Sequence, residues 1–122
     1  MDGRRLGQLT LRLDAAYCAL TGLCLLLFAG PLSEALALRS GVVFAAAVGS
    51  GVWALILGVA ASRAALRPWL LRVCVANVLA AELIAALAVS RPLDAVSVTL
   101  VAVSIEVAVF AVSQAVALGR PA

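Results

Sequence analysis

Four long apolar runs dominate this chain of 122 residues. They cover roughly residues 10–29, 41–61, 69–89 and 95–118. A helix needs about 20 residues, at ~1.5 Å each, to cross a ~30 Å hydrocarbon layer. Backbone N–H and C=O groups inside lipid must be satisfied within the chain, so runs of this length form helices. The rest of the sequence agrees: 66% of residues are hydrophobic and only 12% charged. Soluble domains are about a quarter charged, and a chain this short has too little interior to hide so much apolar surface. The expected architecture is all-α: an integral membrane four-helix bundle forming a single domain over 1–122, with the lipid bilayer as its first partner.

Between the runs lie "GPLSEALALRSG", "SRAALRP" and "SRPLD", which hold most of the Pro and several of the Arg. The first run follows Arg4 and Arg5, and "ALA" at 35–37 resembles a cleavage site. It is longer than the ~7–15 residues of a signal-peptide core, so it reads as a retained span. Orientation follows from the arginines. Arg4, Arg5, Arg12, Arg63, Arg67, Arg72 and Arg120 fall on one side; Arg39 and Arg91 fall on the other. Positive residues concentrate on the cytoplasmic side, so both termini are expected there. Trp69, beside Arg67 and Pro68, suits an interfacial anchor. Ser33 and Asp94 read as helix N-caps. Residues 33–38 fit either a short interfacial helix or a loop. Asp14 lies near Arg12, and an ion pair at the interface is the expectation for it.

The net charge of +3 comes entirely from arginines at the ends of apolar runs, without interleaved exposed aromatics, so nucleic-acid binding is not indicated. All nine basic residues are Arg, and Ala is abundant, a composition that points to a GC-rich bacterial source and hence an inner (plasma) membrane, multi-pass location. Cys18, Cys24 and Cys74 lie within apolar runs, with no C-x-x-C pair and no His. They read as small apolar fillers rather than a metal or redox site, and no cofactor is implied.

Two stripes mark packing. In the second run Ala47, Gly51, Ala54, Gly58 and Ala61 share a face at about 100° per residue. Small residues let helix backbones approach closely in lipid, so Ala47, Gly51, Ala54 and Gly58 are the expected seam. Phe44 and Trp53 lie off it. In the fourth run Thr99, Ala102, Glu106 and Ser113 form a mildly polar stripe, which places Glu106 on a face expected to pack against protein.

Glu82 and Glu106 lie deep in the third and fourth runs with no Arg nearby. A carboxylate without a cationic partner is expensive in lipid unless it keeps its proton, and two close together can share one. The two runs are joined by a short turn, so the expectation is a neutral or singly charged acid pair between neighbouring helices. Asn77 lies about 140° around its helix from Glu82, so the two serve different interfaces. Glu82, Glu106, Asn77 and Gln114 together form the candidate site, either for protons or cations or for helix pairing.

The segments "LRLDAAYCALTGL" and "AGPL", with Asn77, Glu106 and Gln114, resemble a loosely defined group of uncharacterised small four-span bacterial integral membrane proteins. That resemblance implies a four-span fold and supplies no catalytic residues. Small multidrug resistance transporters also have four spans in this length. They carry an essential Glu in the first helix, where this chain has only Asp14, and an aromatic third-helix motif that is missing here. Two functions follow. One is a non-enzymatic structural or accessory membrane component, associating with itself or a larger complex. The other is an oligomeric proton- or cation-coupled transporter using Glu82 and Glu106. With no His, nucleophile elbow or phosphate-binding loop, an enzyme is not expected.

Overall fold

A computed structural model describes residues 1–121. Among them the chain forms five helices: α1 (Gly3–Leu27), α2 (Ala29–Leu36), α3 (Ser40–Ala61), α4 (Leu66–Val89) and α5 (Ala95–Gly119). The fold is all-α, and α1, α3, α4 and α5 are each long and apolar enough to cross a membrane. Within each span's most apolar 18-residue window only 22% of residues are buried. Leu20, Phe44, Leu55, Leu83 and Val109 are among the many large apolar side chains pointing outward. A surface of this kind requires lipid as its solvent.

Helix α1 starts seven residues before the apolar run at residue 10. Asp2 makes this possible by accepting a hydrogen bond from the Arg5 N–H at 2.7 Å, capping the first turn. Helix α4 likewise starts at Leu66, with Pro68 in its first turn, where a missing N–H costs nothing. Residues 33–38 do not form a helix of their own. Helix α2 runs from Ala29, and Ser33 is an interior residue whose hydroxyl donates to the Gly30 carbonyl, not an N-cap. Its C-terminus is a Schellman motif: Leu38 N–H bonds Ser33 O and Ala37 N–H bonds Glu34 O. Ala37 holds the left-handed conformation there, at φ 54°.

The described chain divides into two compact units. One comprises residues 1–10 with residues from 63 onward. In it α4 and α5 pack antiparallel along their length. Ser104 donates to Ala81 O at 2.8 Å, and Cys74 lies 3.4 Å from Ala111 O. The opening turn of α1 joins them at one end, where Gly3 N–H bonds Pro121 O at 2.8 Å. A Cβ on Gly3 would lie 2.7 Å from Arg120 O and 2.8 Å from Ala117 O, so only glycine allows this approach.

The other unit is residues 11–62. Here α1 and α3 cross at Gly22, whose hypothetical Cβ would meet Ala47 O at 2.9 Å. The buried residues of α3 are Val43, Ala47, Leu57, Ala60 and Ala61. The expected seam is therefore partly corrected. Ala47 is in the contact, and Gly51 N lies near Gly22, but Gly58 is exposed with open space around it. Val43, Ala47, Leu57 and Ala61 follow a spacing close to 3.5 residues. A stripe of glycines at 51 and 58 lies to one side of that line. Phe44 points outward, as its place off the stripe implied.

The turn between α4 and α5 is closed by a capping box. Asp94 accepts from Ser97 N–H at 2.8 Å, and Ser97 Oγ accepts from Asp94 N–H at 2.9 Å. Asp94 is thus the N-cap its position suggested. The Ser97 N–H holds its carboxyl below the usual value of 3.8, outweighing desolvation, with further help from Arg91. The folded state therefore binds this proton less readily than the unfolded chain does. Its stabilising contribution is complete above about pH 4 and fades as pH falls through the lowered folded value. Asp94→Asn keeps an acceptor at the cap and is expected to remove that acid-side loss. Circular dichroism of both proteins in detergent, followed from neutral to strongly acidic pH, checks this.

Candidate functional site

The structure separates the four residues into one interior pair and two outward acids. Asn77 of α4 and Gln114 of α5 meet inside the first unit, with Asn77 Nδ2 donating to Gln114 Oε1 at 3.0 Å. Gln114 is 0% exposed and Asn77 is buried. Both follow from helix phase: Ala81 and Asn77 lie one turn apart on α4, and Ala111 and Gln114 share the facing side of α5. An interhelical carboxamide pair of this kind fixes register, because slipping either helix by a turn would break it.

Glu82 and Glu106 do not form the expected pair. Both are exposed, and neither has a hydrogen bond or ion pair within the described residues. Two geometric facts separate them. Ser104 opposes Ala81 and Ala111 opposes Cys74, so Glu106 lies level with Leu79, about three residues or ~4.5 Å from Glu82 along the axis. Glu106 also lies about 140° around α5 from Ala111, which faces α4, so it points away from that helix. The polar stripe was misleading for a physical reason. Thr99 and Ser113 donate to the carbonyls of Ala95 and Val109 on their own helix, at 2.7 and 2.8 Å. Their hydroxyls need no partner helix, so their positions say nothing about the packed face. That face instead carries Ser97, Val107, Ala111, Gln114 and Ala117.

Glu82 stands at the rim of a shallow groove of about 330 Å³ between α4 and α5. The groove is almost wholly apolar and lined mainly by small side chains, including Ala81, Ala108, Ala111 and Ala115. It opens toward the surface that lipid must cover.

Asp14 is the acid that the sequence misplaced. It is only 2% exposed, and Cys18 Sγ lies 3.6 Å from its Oδ1. The expected ion pair with Arg12 is not formed: residues two apart point to nearly opposite sides of a helix, and Arg12 is exposed. The signal that could have located it is the Asp14–Cys18 spacing of four, which puts both on one face of α1. Trp69 lies in the first turn of α4, with the Arg72 guanidinium 5.3 Å from its ring centroid, a cation–π contact.

A second cavity, also about 330 Å³, lies at the helix ends of the same unit. Its lining includes Arg4, Arg67 and Arg120. Among the described residues, no three His, Cys, Asp or Glu side chains lie together in a way that could hold a metal ion. No family model matches the chain, and no curated protein or solved structure matches it.

Proposed function

We propose that the chain is a non-enzymatic structural or accessory component of a bacterial inner membrane, with both termini in the cytoplasm, which assembles laterally with further copies of itself. The observation that carries this reading is the outward placement of Glu82 and Glu106 on long apolar helices, with no hydrogen bond or ion pair among the described residues. A charged side chain at mid-bilayer costs about 3 kcal/mol on insertion scales. A protonated carboxyl both donates and accepts, so acids on neighbouring copies can satisfy one another without a further partner. The groove of small residues beside Glu82 supports the same reading, since it admits the close approach of another helix. The arginine bias of the sequence supports the orientation.

Copies carrying two different tags, co-expressed and reconstituted at falling protein-to-lipid ratio, test the proposal by energy transfer. The wild type is expected to associate. Glu82→Leu removes the hydrogen bond and is expected to weaken association about 3- to 30-fold, the equivalent of the ~0.6–2 kcal/mol of an interhelical bond in lipid. Glu82→Gln, which keeps a donor and an acceptor, is expected to retain most of it. A wild type that stays monomeric, or a Glu82→Leu, Glu106→Leu double variant that associates normally, overturns the reading. The transport alternative now requires Glu82 and Glu106 from different copies to face each other. A proton flux into vesicles that is lost in Glu82→Gln while association persists would favour it.

A further inference from the structure

We propose that the cavity lined by Arg4, Arg67 and Arg120 is a binding site for the phosphodiester headgroup of an anionic phospholipid. The cavity is bounded by Gly3 and Arg4 at the start of α1, Leu66 and Arg67 at the start of α4, and Ala117 and Arg120 at the end of α5. It therefore sits at helix ends. Helices α4 and α5 have 24 and 25 residues, about 36–38 Å of length, against a hydrocarbon layer of ~30 Å. The surplus places these ends at the depth of lipid phosphates.

The electrostatics favour an anion. Three arginines, Arg4, Arg67 and Arg120, line about 330 Å³, and among the described residues no Asp or Glu is in the lining. The nearest acid in sequence, Asp2, is engaged at the α1 cap and beside Arg5. Two of the arginines are held in place. Arg4 donates to Ala64 O at 3.0 Å and to Arg63 O at 3.3 Å, and Arg120 donates to Met1 O at 3.0 Å. A guanidinium has five N–H donors, so each keeps others free for phosphate oxygens. Arg67 makes no hydrogen bond within the described residues. The remaining wall is apolar, with Leu66, Pro68 and Leu70, which suits the glycerol and first methylenes of a lipid better than a fully hydrated free ion. A headgroup without its own cation fits best, since an added ammonium or choline would meet three positive charges. This inference does not depend on self-assembly.

Spin-labelled phosphatidylglycerol and phosphatidylcholine, each in trace amount in vesicles of phosphatidylcholine containing the full chain, test it. The motionally restricted fraction of each label gives their relative association with the protein. The wild type is expected to favour phosphatidylglycerol. Arg67→Gln is expected to lower that preference about fivefold, the effect of one arginine near a lipid surface. Arg67→Lys, which keeps the charge, is expected to retain most of it. Arg63→Gln, just before α4 and outside the lining, keeps the backbone carbonyl that holds Arg4 and should leave it unchanged, which separates the cavity from diffuse attraction. Equal association of both labels in the wild type, or equal loss in Arg63→Gln and Arg67→Gln, overturns the proposal. Displacement of the phosphatidylglycerol label by inorganic phosphate assigns the site to a free anion and also overturns it.

Discussion

Gly22→Val is expected to destabilise the protein by about 3 kcal/mol, at the upper end of what overpacking usually costs. At this position the obstacle is backbone. A Cβ would sit 2.9 Å from Ala47 O and 3.3 Å from Gly51 N, and neither atom can rotate aside as a side chain can. Helices α1 and α3 would have to separate along their crossing, losing the dispersion contacts that hold helices together in lipid. Gly58→Ala is the matched control. Nothing lies within 4 Å of its hypothetical Cβ, so removing a helix-interior glycine there should give a gain of about 0.5–1 kcal/mol. Unfolding in mixed micelles by increasing sodium dodecyl sulfate, followed by circular dichroism, measures both. Equal effects at the two positions would show that α1 and α3 do not cross at Gly22.

The second large effect is expected at Gln114. Gln114→Leu is close in volume but removes the acceptor of the 3.0 Å bond from Asn77 and leaves that buried carboxamide without it. A buried polar group deprived of its partner costs about 1–3 kcal/mol. Asn77→Leu has the mirror consequence. The Asn77→Leu, Gln114→Leu double variant should lose less than the two single losses added together, with a coupling of about 1 kcal/mol. The same detergent titration reads it. Strict additivity would mean that the two side chains act independently.

The extent to which the sequence could be read varied with the physics involved. The spans were legible because length and hydropathy alone decide what lipid accepts. The starts of α1 and α4 were not, since Asp2 and Pro68 extend helix into polar sequence that a hydropathy reading treats as linker. Asp94 was legible because a cap is a local event. The facing of the spans was the hard part. Helices bathed in lipid are apolar all round, so the contrast that reveals a buried face in a water-soluble protein is absent. Polarity had to stand in for it, and polarity marks the packed face only when a side chain needs a partner outside its own helix. Asn77 and Gln114 need one and point inward. Thr99 and Ser113 find acceptors on the preceding turn and point elsewhere. Glu82 and Glu106 were joined by the short turn between their helices, and the polar stripe that aimed Glu106 at a neighbour rested on hydroxyls already satisfied on their own helix.

The fastened turn before α5 bears on how the protein enters its membrane. Between Val89 and Ala95 only five residues connect the two spans, and the Asp94–Ser97 box sets the second helix from its first turn. Closing so small a loop carries little entropic penalty. Once both segments have emerged during synthesis they can pair at once and partition into lipid as a hairpin, shielding Asn77 and Gln114 on the way.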